Sequence, residues 1–427
     1  METVLVVGGG GREHAVVRAL APDCEVYCCA SNRNPGIARL AAGVETVDET
    51  DAGAVADSAE DVGADAAVIG PESALAAGVA DELAARGVFP FGPRADAARI
   101  ETDKSYQRRF MREESIPGCP AFETFDDAAA AADYVAAADG DVAVKPAGLT
   151  GGKGVRVTGD QVTRPEAADY VRGSGYDDWV VEERLVGEEF TVQAFVADGE
   201  VRPTPAVQDH KRAYEGDEGP NTGGMGSYAD AGPVLPFLTR DDYSRAVGIL
   251  EATVDALDDY TGVLYGQFML TAGGIRVVEF NARFGDPEAM NVLPAMETPL
   301  VEVVRAARDG TPLPDLSFAP TATVCKYAVP AGYPTDPEGG TRISVDEDSV
   351  GDALLFYASV DERPDGLYTT TSRSFAVVGR GESIAAAETQ AAAALDAAGD
   401  GLRARHDVGT ADLVQRRVDH ARRLRGD

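Results

Sequence analysis

The chain has 427 residues, of which 44% are apolar and 26% charged, a globular balance with length for two to four compact units. Its formal net charge of −34 excludes a nucleic-acid groove, which needs a basic footprint, and the sustained apolar periodicity excludes an acidic disordered chain. No apolar run approaches the roughly 20 residues of a bilayer span, and the start METVLVVGGG lacks a basic, cleavable leader, so a cytoplasmic location is expected.

Residues 3–7 (TVLVV) form a short apolar run, followed by GGGGREHA and a helical stretch to about Leu20. CEVYCCA, DAAVIG and GVFPFG read as further buried strands separated by helical or turn segments. Strands without strict alternation, spaced by helices, predict a parallel sheet covered on both faces, so residues 1–100 read as a doubly wound α/β unit. Cys24, Cys28 and Cys29 fall on one such strand; with Cys119 and Cys325 they show no metal-ligand spacing, and core packing is expected.

GGGGREHA does not meet the dinucleotide fingerprint G-x-G-x-x-G: the sixth position from Gly8 is Glu13, and from Gly9 it is His14. A dinucleotide-binding oxidoreductase is a rival that lacks its glycine. What survives is a general anion site at a helix N-terminus. There Gly10, Gly11, Arg12 and Glu13 would meet a phosphate-bearing substrate, while His14 is either part of the site or a packed helix residue. Glu72, in GPES, sits where open sheets bind ligands, outside the strand C-termini.

The stretch from Asp96 to Glu114 reads as helical, and Pro117 and Pro120 break it. A helix near 126–138 leads to the strand DVAVK, a glycine-rich loop and the strand GVRVT. VKPAGLTGGKGV (144–155) is not a Walker loop. Its glycines, Gly151, Gly152 and Gly154 among them, let the backbone fold over phosphates, and Lys145 and Lys153 would neutralise their charge. The alternative is a flexible hairpin with incidental lysines. In VVEERLVGEEFTV (180–192), Glu182 and Glu183 with the backbone around Leu185 would read an adenine edge, and Glu189 would accept from ribose hydroxyls.

Residues 207–232 read as a long polar loop, a length that suggests function. A helix near 240–258 precedes two strands, GVLYGQFML and IRVVEFN, joined by TAGG. Strict alternation would place Ile275, Val277, Glu279 and Asn281 on one face. A carboxylate and an amide among apolar residues are costly unless paired or bound to an ion, and oxygen-only ligands point to magnesium. A three-residue TAGG loop would put Gln267 opposite Glu279; a two-residue loop would put it on the wrong face. Arg283 would stabilise charge on a transferring phosphoryl group. The alternative is an edge strand with a solvated polar face. The last hundred residues mix strands (TATVCKYAV, RSFAVVG) with an alanine-rich helix at 383–398.

The acids are spread along the chain, and five lysines stand against 33 arginines. Such a surface fits a salt-loving source, because concentrated salt screens self-repulsion. Where lysine is this scarce, the survivors mark places where a planar arginine fork cannot substitute. They are Lys104, Lys145, Lys153, Lys211 and Lys326.

KPAGLTGGKGV, the E-E-x-L-x-G-x-E hinge and EFNARFGDPE together resemble the ATP-grasp superfamily. With GGGGREHA, GPE, FGP, QDHKR and GPNTGGMGSY in the same order, nearly the whole chain resembles its phosphoribosylamine–glycine ligase family. That resemblance implies an α/β and α+β protein of ATP-grasp architecture. Residues 1–100 would be a substrate-binding unit, 101–320 the ATP-grasp domain with a lid at about 121–189, and 321–427 a mixed α/β C-terminal domain. It implies ligation of glycine to 5-phosphoribosylamine through glycyl phosphate, with ATP as co-substrate, magnesium or manganese as metal, small-molecule partners only, and a monomer. Glu279 and Asn281 look like metal ligands, with Gln267 a third. Lys104, Lys145 and Lys153 resemble the phosphate-contacting lysines, and Arg283 the arginine beside the γ-phosphate. Asp209, Lys211, Arg212, Asn221, Thr222, Gly223 and Gly224 fall on the family's substrate-binding segment, with Asp286 beside it. Asp209, Lys153 and Arg283 are the expected catalytic groups. The family's glycine-glycine-arginine turn reads here TTTSRSFAVV, and Ala331 replaces a common glycine, which puts contacts from this end in doubt. Another ATP-grasp carboxylate–amine ligase would share the nucleotide motifs but not QDHKR and PNTGGMG.

Overall fold

The computed structural model describes residues 2–150, 154–398 and 401–426. The N-terminal unit is a five-stranded parallel sheet in the order Gly43–Thr46, Glu25–Ala30, Thr3–Val7, Ala66–Ile69, Phe89–Phe91. Val4 to Val7 are all buried, as expected of a central strand covered on both faces. Gly43–Thr46 was not among the expected strands: it is a half-exposed edge with no apolar run to announce it. At Gly8 the chain turns with φ of +109°, and an added Cβ would lie 2.8 Å from Pro71, so glycine is needed where the first strand ends beside GPES.

The single helix expected from Asp96 to Glu114 is two, Ala95–Thr102 and Lys104–Glu113. Asp103 between them is extended, and its carboxylate accepts from Tyr106 N at 2.9 Å. Aspartate caps the second helix more readily than it continues the first. A small antiparallel sheet follows, in the order Phe122–Phe125, Trp179–Glu183, Val142–Pro146, Arg156–Val157. Helices Ala128–Ala137 and Arg164–Gly173 pack with it around Trp179, Val144 and Val171.

The largest sheet has nine strands. Its main path runs Gly274–Asn281, Gly262–Thr271, Gly187–Ala197, Val207–Asp209, Gly226–Ala229, Ala322–Ala328, Phe375–Gly381, Leu354–Tyr357, with Glu200–Pro203 paired to Gly187–Ala197. Strands from the last hundred residues thus continue the sheet that carries Glu279 and Asn281. The long polar loop expected at 207–232 is largely β-structure. Its ends pair with each other in this sheet, and Arg212–Tyr214 and Glu218–Asn221 form a hairpin. The glycines and polar residues there conceal strands whose partners are distant in sequence. Helix Ala411–Arg425 lies against Gly187–Ala197, with Leu413 and Ala421 buried. Among the described residues no helix is long and apolar enough to cross a membrane.

The turn between Gly262–Thr271 and Gly274–Asn281 is Ala272–Gly273, two residues rather than three. Gln267 nevertheless pairs with Glu279, because the register shifts between Gln267 and Phe268 and leaves Val278 as a bulge. The bulge reverses the alternation. Ile275 and Val277 share the core face with Phe280, and Glu279 and Asn281 take the opposite face with Gln267. The expected single face for Ile275, Val277, Glu279 and Asn281 is therefore corrected: one extra residue flips every side chain beyond it.

Candidate active site

Glu279 is the centre of a cluster built from two neighbouring strands and the QDHKR segment. Lys211 donates to Gln267 Oε1, and its Nζ lies 3.5 Å from Glu279 Oε1 and 4.0 Å from Asp209 Oδ2. Gln267 Nε2 in turn donates to Glu189 Oε2 at 2.5 Å. Burial alone would push the Glu279 carboxyl up. Lys211, Lys145, Lys104 and Arg283 outweigh it and hold the group at about 2. Burial wins at Asp209, which is pushed up to about 8 against the pull of Lys211, and its Oδ1 has no hydrogen-bond partner. Burial also raises Glu288, which accepts from Tyr265 Oη at 2.9 Å. The oxygens of Gln267, Glu279 and Asn281 share a face; Gln267 and Glu279 meet the Lys211 ammonium, and Asn281 accepts from Arg283. This donor set fits a hard divalent ion such as magnesium or manganese. It combines one carboxylate with two amides; no group of three His, Cys, Asp or Glu fit for a metal occurs among the described residues.

The lysines expected at phosphates approach from the small sheet and the helix beside it. Lys104 opens its helix and donates to Gly148 O at 2.7 Å, at the base of the glycine-rich loop. Lys145 Nζ lies 2.8 Å from Glu182 Oε2 and donates to Val278 O at 3.2 Å. Gly151, Gly152 and Lys153 lie outside the described residues. Gly154 accepts at its carbonyl from Tyr170 Oη at 3.0 Å. The carboxylate of Glu182, expected at an adenine edge, is buried and held by both Arg108 and Lys145. Leu185, on the same hinge, is partly buried, while exposed Glu183 accepts from Ala121 N at 2.9 Å.

Arg283 Nη2 lies 2.7 Å from Glu101 Oε1 and donates to Asn281 Oδ1 at 3.2 Å, and its Nε is 3.5 Å from Glu72 Oε2. Glu101, buried under this arginine, is pushed up to about 7. Burial opposes ionisation at Glu72 as well, but Arg283 and Arg12 hold it below its usual range. At the glycine-rich start, Arg12 Nε pairs with Glu13 at 2.7 Å and Nη1 donates to Phe284 O at 3.0 Å, while Glu13 accepts from Gly10 N at 2.8 Å. A Cβ at Gly11 would meet the Tyr327 hydroxyl at 2.3 Å. That hydroxyl donates to Asp286 Oδ1 at 2.7 Å, which brings the first loop, Asp286 and the C-terminal strands together. His14 is a packed residue: burial lowers it to about 4, and Nδ1 accepts from Tyr357 N at 3.0 Å.

The substrate segment is held in parts. Thr222 is buried, its hydroxyl donating to Lys211 O at 2.8 Å and accepting from Gly224 N at 3.0 Å, which makes it a support for the loop. Arg212 turns away from Glu279, pairing with Asp160, and Asn221 accepts from Gln161 Nε2 at 3.2 Å. Arg373, in the TTTSR stretch where contacts were in doubt, donates to Gly223 O at 2.6 Å, Gly224 O at 3.1 Å and Asp286 O at 3.0 Å. It also pairs with Asp286 Oδ1 at 3.2 Å. The C-terminal end therefore does reach the site. Arg108, Glu101, Tyr265, Glu288 and Arg373 were not singled out from sequence. Glu288 and Arg373 stand within motifs already noted; Arg108 and Glu101 are charged helix residues with no local signal.

A parallel N-terminal unit, a small antiparallel sheet bearing Lys145, and a central sheet bearing Gln267, Glu279 and Asn281 define the ATP-grasp class. Three family models match in order: the phosphoribosylglycinamide synthetase N domain at 2–101, its ATP-grasp (A) domain at 102–289, and its C domain at 323–411. The chain belongs to the phosphoribosylglycinamide synthetase family. It is 50% identical over 434 residues to phosphoribosylamine–glycine ligase of Methanocella arvoryzae, covering 99% of this chain and 100% of that one. It is 49% identical to the enzyme of the same name from Methanosarcina barkeri, with the same coverage. The crystal structure of phosphoribosylamine–glycine ligase from Thermotoga maritima matches with a TM-score of 0.79 at 27% identity, over 95% of this chain and 99% of that one. Biotin carboxylase from Campylobacter jejuni shares the fold, with a TM-score of 0.75 at 14% identity over 99% and 98% of the two chains.

Proposed function

We propose that the chain ligates glycine to 5-phosphoribosylamine at the expense of ATP, giving glycinamide ribonucleotide, ADP and phosphate. The observation that carries this reading is the position of Lys211 of QDHKR, 3.5 Å from the half-buried carboxylate of Glu279 and donating to Gln267, with the charges of Lys145, Lys104 and Arg283 also acting on that carboxylate. A glycine carboxylate oxygen attacks the γ-phosphoryl group and ADP leaves. The amine of phosphoribosylamine then attacks the acyl carbon of glycyl phosphate, and phosphate leaves. No enzyme nucleophile is required; the work is positioning and charge neutralisation. Lys104, Lys145, Lys153 and Arg283 neutralise the phosphates. Asp209, with one free oxygen and a carboxyl poised near neutrality, takes the proton lost by the attacking amine. Gln267, Glu279 and Asn281 would hold a magnesium or manganese ion, which supplies further charge neutralisation at the phosphates. Gly10, Gly11, Arg12, Glu13 and Glu72 line the phosphoribosyl side, with Asn221, Gly223, Gly224 and Asp286 opposite. Backbone groups near Leu185 take the adenine, and Glu189 the ribose.

The units fall at 1–100, 101–320 with a lid at about 121–189, and 321–427. The acidic, lysine-poor surface supports work as a monomer in a salt-rich cytoplasm. The test is ADP release in concentrated KCl with each substrate omitted in turn. ADP must appear with glycine and phosphoribosylamine together. ADP without glycine, or none with both, sinks the assignment.

A further inference from the structure

Arg108 has no part in the mechanism above, yet it is among the most deeply buried charges in the molecule, with its side chain 1% exposed. Its guanidinium grips Glu182 at both oxygens, Nε to Oε1 at 2.7 Å and Nη2 to Oε2 at 3.1 Å. Nη2 also donates to Val278 O at 2.6 Å and Val277 O at 3.3 Å. Lys145 uses the same two acceptors, Glu182 Oε2 at 2.8 Å and Val278 O at 3.2 Å. Four segments close into a ring: helix Lys104–Glu113, strands Val142–Pro146 and Trp179–Glu183, and the bulge of the metal strand.

Two cations share one carboxylate, so the group carries one positive charge in excess. Arginine satisfies a carboxylate through a planar fork that lysine cannot reproduce. Without Arg108, the buried carboxylate would have Lys145 as its one charged partner, and a buried charge takes whatever partner is in reach. Carboxylate and ammonium would then cancel, and no positive charge would be left in excess.

We infer that Arg108 is a positioning residue for the nucleotide: by satisfying Glu182 it leaves the charge of Lys145 available to the phosphates, directed by the Val278 carbonyl. This rests on the proposed contact of Lys145 with phosphate, and the experiment separates the two.

ADP affinity by titration calorimetry, and KM for each substrate, are measured in concentrated KCl for Arg108→Met, Arg108→Lys, Arg108→Met/Glu182→Gln and Lys145→Met. Arg108→Met weakens ADP binding and raises KM for ATP by about tenfold or more, with KM for glycine and phosphoribosylamine within about twofold. The double variant recovers most of the ADP affinity, because the carboxylate that captures Lys145 is gone. A purely structural arginine would shift all three KM values together, and the second substitution would not restore binding. The inference is overturned if Arg108→Met leaves ADP affinity unchanged, if all three KM values move together, or if the double variant binds no better than Arg108→Met. If Arg108→Met does not fold, Arg108→Lys decides, with a loss of about threefold expected from the missing fork and no loss overturning the inference. If Lys145→Met binds ADP normally, the phosphate contact itself is wrong and the inference falls with it. If Lys145→Met loses binding and Arg108→Met does not, the role of Arg108 alone is rejected.

Discussion

Gln267 faces Glu279 across two antiparallel strands, although the Ala272–Gly273 turn between them is one residue too short for that pairing in a regular ladder. Val278 makes up the difference as a bulge. The extra residue brings Glu279 and Asn281 onto the face of Gln267, away from the apolar face of Val277 and Phe280. It also leaves the Val278 carbonyl to accept from both Lys145 and Arg108. One irregularity thus places the side-chain oxygens of Gln267, Glu279 and Asn281 together and anchors Lys145, as bulges beside active sites commonly re-aim side chains.

Glu279→Ala is expected to lower metal-dependent turnover by roughly a hundredfold to a thousandfold. The far-ultraviolet dichroism should be unchanged, since Glu279 lies on the polar face of its strand. Turnover within about threefold of wild type would remove Glu279 from the site.

Arg373→Ala should raise KM for phosphoribosylamine by about tenfold while KM for ATP stays put, because it frees the Gly223–Gly224 segment and Asp286 without touching the lysines. Arg373→Lys should restore little, since one ammonium cannot reach three carbonyls and a carboxylate in a fixed plane. Equal shifts in both KM values would point to general loosening instead.

His14 sets a pH dependence of stability. Its folded pKa is depressed from 6.5 to about 4 by burial. Between those values the unfolded chain binds a proton that the folded chain does not, so stability falls as pH drops from about 6.5 towards 4. The full window is worth about 3 kcal/mol. Urea titrations at pH 6.5 and 4.5 should show a smaller difference for His14→Gln than for wild type; equal differences would exclude His14 as a source.

Raising KCl from about 0.1 M to about 2 M should lift the thermal midpoint by on the order of 10 °C, because a net charge of −34 repels itself least when the screening length is shortest. A flat or falling midpoint would contradict adaptation to salt.

The parallel N-terminal sheet was legible from apolar runs spaced by helices, because a strand buried on both faces has a composition that needs no partner to be recognised. The lysines were legible for a different reason: against 33 arginines, each of five lysines is conspicuous. Lys104, Lys145 and Lys211 do bear on Glu279. Lys326 instead lies fully buried, against Glu388 at 2.7 Å and donating to His406 O at 2.6 Å. Tertiary structure alone decided the rest. The faces of Glu279 and Asn281 depend on where the ladder slips, and side-chain direction beyond a bulge belongs to the pairing rather than to local alternation. Residues 207–232 become strands because Val207–Asp209 and Gly226–Ala229 find sheet partners, Gly187–Ala197 and Ala322–Ala328 among them, at distances no local pattern encodes. Arg108 meets Glu182 across 74 residues, and Arg373 meets Gly223 across 150. In an acidic chain rich in arginine, the fold is what singles out those two arginines, by desolvating them against particular acceptors.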